Sequence, residues 1–190
     1  MNIKLHDPGA NITDANEALA ILKAGNKRFI NNESYRYNYK EQREKTAKSQ
    51  KPFAIIITCA DSRTCPEIIF DQGIGNIFVC RNAGNVVDDD AMGSCEFAHV
   101  VLGAQLVVIL GHTECGAVFN AFDKTSGLPD KLQGVLDGIA KTIGDSIDKQ
   151  AATTDNIKEM VRRFKINPVF EKALIKGAEY DISTGVVTWH

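Results

Sequence analysis

The chain has 190 residues, 44% of them hydrophobic and 24% charged, with a formal charge of −2. That is the balance of one ordinary globular domain, able to bury about 70% of the surface of its unfolded chain without disulfide staples. The acidic balance argues against nucleic acid as a partner, no apolar run approaches the ~18 residues of a membrane span, and Met1 to Pro8 lack the regions of a secretory signal, which favours the cytoplasm. A single domain over 1–190 is expected, with an N-terminal helical arm (1–50), a central α/β core (51–128), and C-terminal helices with an edge hairpin (129–190).

Asp14 reads as a helix N-cap, and Glu17 three residues on completes a capping box. Ala15, Ala18, Leu19, Leu22, Phe29 and Ile30 then share one face of a helix of period 3.6. Gly25 weakens its middle. This stripe has to be buried on the chain's own sheet or on another subunit. Residues 34–51 are polar and basic, with Tyr35, Tyr37 and Tyr39 alternating among Arg36, Lys40, Arg43, Lys45, Lys48 and Lys51. Basic groups beside stackable rings suit a nucleic-acid arm. With an acidic net charge, the favoured reading is a solvated connection and short helix whose tyrosines pack against the body.

From Phe53 the pattern changes. The apolar run 53–58 predicts a buried strand, followed by a short helix at 66–71 with Pro66 in its first turn. A second strand is expected at 77–80. A helix from about Asp89 to Leu102 follows, burying Met92, Cys95, Ala98, His99 and Leu102 and stopping at Gly103. A third strand at 106–110 leads into a helix near Cys115. Alternation of strands and helices predicts an α/β protein with a mainly parallel sheet. After Pro129, Leu132, Val135, Leu136, Ile139, Ala140, Ile143 and Ile147 form one stripe, and Ile157, Met160, Val161 and Phe164 another. Asn167-Pro168 reads as the start of a further helix closed by Gly177. Residues 180–189 read as a hairpin turning at Gly185 that adds an edge strand. About four parallel strands and one antiparallel edge strand are expected.

Five cysteines (Cys59, Cys65, Cys80, Cys95, Cys115) are an odd count without framework spacing, which suits metal ligands or small buried residues better than disulfides. Cys59-Ala60-Asp61-Ser62-Arg63 leaves the first strand, and His112-Thr113-Glu114-Cys115 follows the third. In open α/β sheets ligands bind at carboxyl strand ends, so the two clusters read as halves of one metal site. Zinc takes thiolate and imidazole ligands tetrahedrally, and catalytic sites keep one position for water. Cys59, His112 and Cys115 would supply three ligands. Two plainer readings stand beside this: Cys59 as a small buried residue, or a structural zinc closed by Cys65, Cys80 or Cys95. The charged pair Asp61 and Arg63 favours a working site, because charges at a strand end cost desolvation unless they are used or well paired.

These two clusters, with Pro66-Glu67, Asp71-Gln72, the block at 78–85 and Gly116-Ala117, are similar to those of β-class carbonic anhydrases. Segments 25–29 and 177–185 also resemble the family, so the likeness covers almost the whole chain. The resemblance implies a zinc enzyme with one Zn2+ per chain that interconverts carbon dioxide and bicarbonate. It implies Cys59, His112 and Cys115 as ligands, Asp61 and Arg63 as the gate dyad, and Gln50 as a substrate contact. It places Phe78 and Phe97 in an apolar pocket at a subunit interface, where the family usually has Tyr at the second position. A homodimer or homotetramer follows, with the N-terminal helix crossing onto a partner subunit. An inhibitory bicarbonate site known in some members uses a Trp where this chain has Ile56, so that site is not expected here, although Arg81 and Tyr180 match its other contacts.

Two thiolates neutralise the formal charge of zinc, so they should acidify its water less than three imidazoles would. Asp61 then accepts the hydrogen bond of that water or hydroxide and turns a lone pair towards carbon dioxide. Arg63 keeps Asp61 ionised and in place; released, Asp61 could swing in as a fourth ligand. His6, His99 and His190 read as bystanders, not proton shuttles, and Cys65 as packing. The competing functions are a related zinc hydrolase of carbon disulfide or carbonyl sulfide, and an interaction protein with structural zinc.

Overall fold

The structure is a computed structural model describing residues 12–190; the readings placed on the first eleven residues, including His6, lie outside the described residues. Strands β1 (Ala54–Cys59) and β3 (Leu106–His112) are buried at every position. Continuous apolar runs of this kind suit strands covered on both faces. With β2 (Ile77–Asn82), β4 (Leu174–Tyr180) and β5 (Val187–Trp189) they form one sheet in the order β2-β1-β3-β4-β5. The first three pairings are parallel and β5 is antiparallel to β4. The expected mainly parallel sheet with an antiparallel edge strand is therefore present.

Side-chain alternation divides the core. Ala54 and Ile56 of β1, with Leu106, Val108 and Leu110 of β3, pack against Ala18 and Leu22 of helix α1 (Ala15–Ile30) and Ile69 of the one-turn α3 (Pro66–Ile69). Ile55, Ile57, Val107 and Ile109 meet Cys95 and Ala98 of α4 (Asp89–Val100) and Ile157, Met160 and Phe164 of α7 (Lys149–Ile166) on the other face. A third cluster gathers Cys59, Cys115, Val118 of α5 (Gly116–Phe122) and Leu136 and Ile139 of α6 (Asp130–Ile143).

Asp14 caps α1 by accepting from the N–H groups of Asn16 and Glu17. Ala18 and Leu22 of the α1 stripe are buried on the chain's own sheet with Ala15, Leu19 and Phe29 partly buried beside them, and Ile30 is exposed. Gly25 has a packing reason: a Cβ there would lie 1.8 Å from the Phe70 carbonyl oxygen, so α1 could not sit this close to α3 with any other residue. Asn26 is buried one position further on. It donates to the carbonyls of Ile69 and Gly185 and accepts from Val187, joining helix, α3 and terminal hairpin.

The basic segment contains one short helix, α2 (Tyr39–Thr46). Before it, Tyr35 and Tyr37 bond the buried Asp71 and its carbonyl, and Arg28 stacks over Tyr35 while pairing with Asp71. Those two rings pack on the body, and Tyr39 stays exposed.

Three expectations need correction. Residues 167–177 do not form a helix: Pro168–Phe170 is a single 3-10 turn, and Gly177 lies inside β4. The physical reason for that glycine is close packing, since a Cβ at Gly177 would stand 2.8 Å from Ile157 of α7. The stripe of α6 stops at Ile143, where Gly144 turns the chain at φ 51°, and Ile147 is 88% exposed. Leu132, at its start, is also exposed. Strands β2 and β3 each run two residues beyond the predicted ends, to Asn82 and His112. Among the described residues no helix is long and apolar enough to cross a membrane.

Candidate metal centre

Cys59 ends β1 and His112 ends β3, and these two strands are direct parallel neighbours. Their carboxyl ends therefore meet on one rim of the sheet. Beyond His112 the chain turns sharply at Glu114, φ 57°, which returns Cys115 to the same rim at the head of α5. The sulfurs of Cys59 and Cys115 and a ring nitrogen of His112 lie within 4.8 Å of one another, all three residues buried. Among the described residues this is the group able to hold a metal ion.

The donor set fits zinc on a further count. His112 Nδ1 is 2.8 Å from the Thr113 carbonyl, so it carries the proton and donates. Nε2 is left with a free lone pair, and it is buried without a hydrogen-bond partner. A buried, unpaired nitrogen is costly, and a metal ion beside two sulfurs would satisfy it.

Without a metal the cluster shares its protons unequally. The Cys59 thiol is pulled down to about 4, foremost by a hydrogen bond from Cys115, with help from the N–H groups of Gly84 and Asp61, against burial. Gly84 and Asp61 each approach its sulfur at 3.4 Å. Cys115 is pushed up by giving that hydrogen bond and by burial. Burial works to lower His112, but Cys59 and the Thr113 carbonyl outweigh it and the imidazole is raised.

Asp61 stands beside this group, turned towards Arg63. Arg63 donates from Nε to Oδ1 at 2.9 Å and from Nη2 to Oδ2 at 2.7 Å, a bidentate fork, and its backbone N–H adds a third bond at 2.9 Å. Those bonds hold the carboxyl well below the usual carboxylate range against some burial.

Thr64 and Asn156, which the sequence reading passed over, fix this turn together with Arg81. Thr64, fully buried, donates to the carbonyls of Cys59 and Asp61, both at 2.9 Å. Arg81 reaches the same two carbonyls at 3.2 and 2.8 Å. Asn156 of α7 donates to the Gly84 carbonyl and so anchors the loop whose N–H points at Cys59. A lone Thr has no sequence signal for such a role; its two acceptors are set by the backbone path.

The other expected residues are elsewhere. Gln50 is exposed before β1 and lines a cavity of about 420 Å³ with residues such as Lys48 and Ile74. Phe78 lies opposite Ile55, four register steps from the Cys59–Asn82 level, and lines a cavity of about 390 Å³ with Arg81 and Asp88. Phe97 is 48% exposed on α4 and does not line that cavity. Strands advance ~3.3 Å per residue, so within one chain Gln50 and Phe78 stand towards the opposite end of β1 from the metal ligands. Cys65 contacts the Ser62 carbonyl, and Cys80 faces Cys95; none of the three joins the ligand group. His99 bonds the Ala104 carbonyl and stacks on Phe170, a packing role. Ile56 is fully buried in the core.

A mainly parallel sheet with a Cys-His-Cys group able to hold a metal ion at its carboxyl rim, and a clamped Asp beside it, is the arrangement of a β-carbonic anhydrase. The carbonic anhydrase family model matches residues 54–187, and the chain belongs to that family. It is 49% identical over 98 residues to carbonic anhydrase 2 of Mycobacterium tuberculosis, covering 51% of this chain and 47% of that protein. The chain thus spans about half the length of the curated relatives it matches. The β-carbonic anhydrase CcaA shares the fold at TM-score 0.71 and 24% identity, covering 90% of this chain and 94% of that one. So do tetrameric β-carbonic anhydrases of Sordaria macrospora, at TM-score 0.68 and 23% identity, covering 92% of each chain.

Proposed function

We propose that the protein hydrates carbon dioxide reversibly to bicarbonate and a proton, with zinc held by Cys59, His112 and Cys115. The observation that carries this reading is the buried, unpartnered Nε2 of His112 beside two cysteine sulfurs, next to a carboxylate already clamped by Arg63. Zinc bound there supplies a Lewis acid that lowers the pKa of a water at its open position.

The chain's own groups do the rest. Cys59 and Cys115 offer thiolates, and Thr113 keeps His112 in the tautomer that presents Nε2. Asp61, ionised, accepts a hydrogen bond from the reacting water and orients it towards carbon dioxide. Because its pKa is depressed, the clamped carboxylate is present above the ordinary carboxylate range and is lost only as pH falls through its lower folded value. A change of rate near neutral pH therefore belongs to another group. Asp61 is turned to Arg63 and away from the Cys59-His112-Cys115 group, which would leave room for water on a bound zinc and supports an enzyme over a structural-zinc module.

Gln50, Phe78 and Phe97 contact substrate from a second copy of the chain. Their distance from the ligands of their own chain supports this reading, and a dimer is then the smallest active unit, with a tetramer built from two. In that assembly α1 also packs on the partner. Metal analysis with a stopped-flow hydration assay tests the function: zinc at one per chain with no hydration at alkaline pH would defeat it. Arg63→Ala tests the dyad. Hydration should fall about 10- to 100-fold, the loss typical of an oriented outer group, and unchanged activity would remove the dyad from the mechanism.

A further inference from the structure

Cys80 of β2 and Cys95 of α4 take no part in the metal group. Their sulfurs are 3.9 Å apart, across the junction where α4 packs on the edge strand. Cys95 is fully buried with Ile55, Ile57 and Ala98, so its sulfur is held by the core. Cys80 is only half buried and lines the open cavity of about 390 Å³ beside Arg81, Asp88 and Ser94, so solutes reach it. A disulfide needs its sulfurs at ~2.05 Å, less than 2 Å closer than they stand. We propose that Cys80 and Cys95 are a redox pair, closed to a disulfide by a hydroperoxide and reopened by a thiol.

The chemistry balances in two steps. The Cys80 thiolate attacks one oxygen of the hydroperoxide, the O–O bond breaks, and Cys80 becomes a sulfenic acid as water or an alcohol leaves with a proton from solvent. The Cys95 sulfur then attacks the sulfenic sulfur, forming the S–S bond; the hydroxyl leaves as water, taking the Cys95 proton. The asymmetry of the pair suits these roles. The hydrogen bond between the sulfurs lowers Cys80 despite its burial and raises Cys95, so the accessible sulfur is the readier thiolate. Cys59 and Cys115 are buried, and Cys65 is partly exposed without a sulfur partner, an internal control.

The position of the pair links it to the metal rim. Two residues after Cys80, the Asn82 carbonyl accepts from Ala60 at 2.8 Å, and Gly84 donates to the Cys59 sulfur. Drawing β2 towards α4 pulls on that loop.

Zinc-loaded protein is titrated with hydrogen peroxide, alkylated, digested without reductant and mapped by mass spectrometry. The expected product joins the Cys80 and Cys95 peptides with loss of two hydrogens, disappears on dithiothreitol treatment, and forms at lower peroxide than oxidation of Cys65. Cys80→Ser and Cys95→Ala should each abolish it, and Cys80→Ser, at a half-exposed position, keeps the test valid if the buried variant fails to fold. Sulfinic acid at Cys80 with Cys95 still alkylatable, or Cys65 oxidised first with the pair intact, would overturn the proposal.

Discussion

Replacing Thr64 by Val tests whether the turn after β1 positions Asp61, the carboxylate proposed to orient the reacting water. Valine keeps the shape of the side chain and removes one hydroxyl. That hydroxyl shares its proton between the Cys59 and Asp61 carbonyls at 2.9 Å each. Neither carbonyl is orphaned by the change, because Arg81 donates to both and the Thr64 N–H still reaches Asp61 at 3.0 Å. The loss is then about 1–1.5 kcal/mol, one net hydrogen bond in a buried site. For a chain of this size that lowers the melting temperature by roughly 2–6 °C. Loosening Asp61 by one such bond should reduce hydration about 10-fold, the equivalent of ~1.4 kcal/mol in the barrier. Thermal melts and stopped-flow hydration measure both effects, and Thr64→Ser, which retains the hydroxyl, should recover most of the rate. Full activity in Thr64→Val, or a serine variant as slow as the valine one, would refute the positioning role.

Gly25→Ala should destabilise the fold by about 2–3 kcal/mol through overpacking, because its Cβ meets the Phe70 carbonyl at 1.8 Å; an unshifted melting curve would show that α1 moves freely. Asn26→Ala leaves Val187 N–H and two carbonyls without their buried partner and should cost about 2–4 kcal/mol, read as an earlier unfolding midpoint in urea. Zinc uptake by stripped protein at pH 7 should release at least one proton from the cluster, because burial and the hydrogen bond between the sulfurs raise Cys115 while that bond lowers Cys59. Calorimetry in buffers of different ionisation enthalpy counts those protons, and affinity should fall as pH drops; uptake without proton release would contradict that charge state.

Much of the centre of this fold is legible in the residues. Uninterrupted apolar runs at 53–58 and 106–110, rich in Ile and Val, suit strands covered on both faces, and their ends carry thiol, carboxylate, guanidinium and imidazole groups that are costly there without a use. The periphery is less legible. Asn167-Pro168 has the chemistry of a helix start, yet one 3-10 turn follows, because the chain must re-enter the sheet beside β3 as β4. Gly177 looks like a helix terminator and is instead the place where α7 meets the sheet closely.

By itself, then, the sequence pointed to the sheet class, to Cys59, His112 and Cys115 as candidate ligands and to the charged pair beside them, through residue type, spacing and the family resemblance. Only the tertiary structure decided what depends on distant segments meeting in space. The parallel pairing of β1 with β3 brings Cys59, His112 and Cys115 together, the Thr113 carbonyl leaves His112 Nε2 unpartnered, and Thr64 and Arg81 hold the turn. The packing of α4 on β2 brings Cys80 to Cys95, fifteen residues apart in the chain, because burial of an apolar face brings together side chains that no local pattern relates.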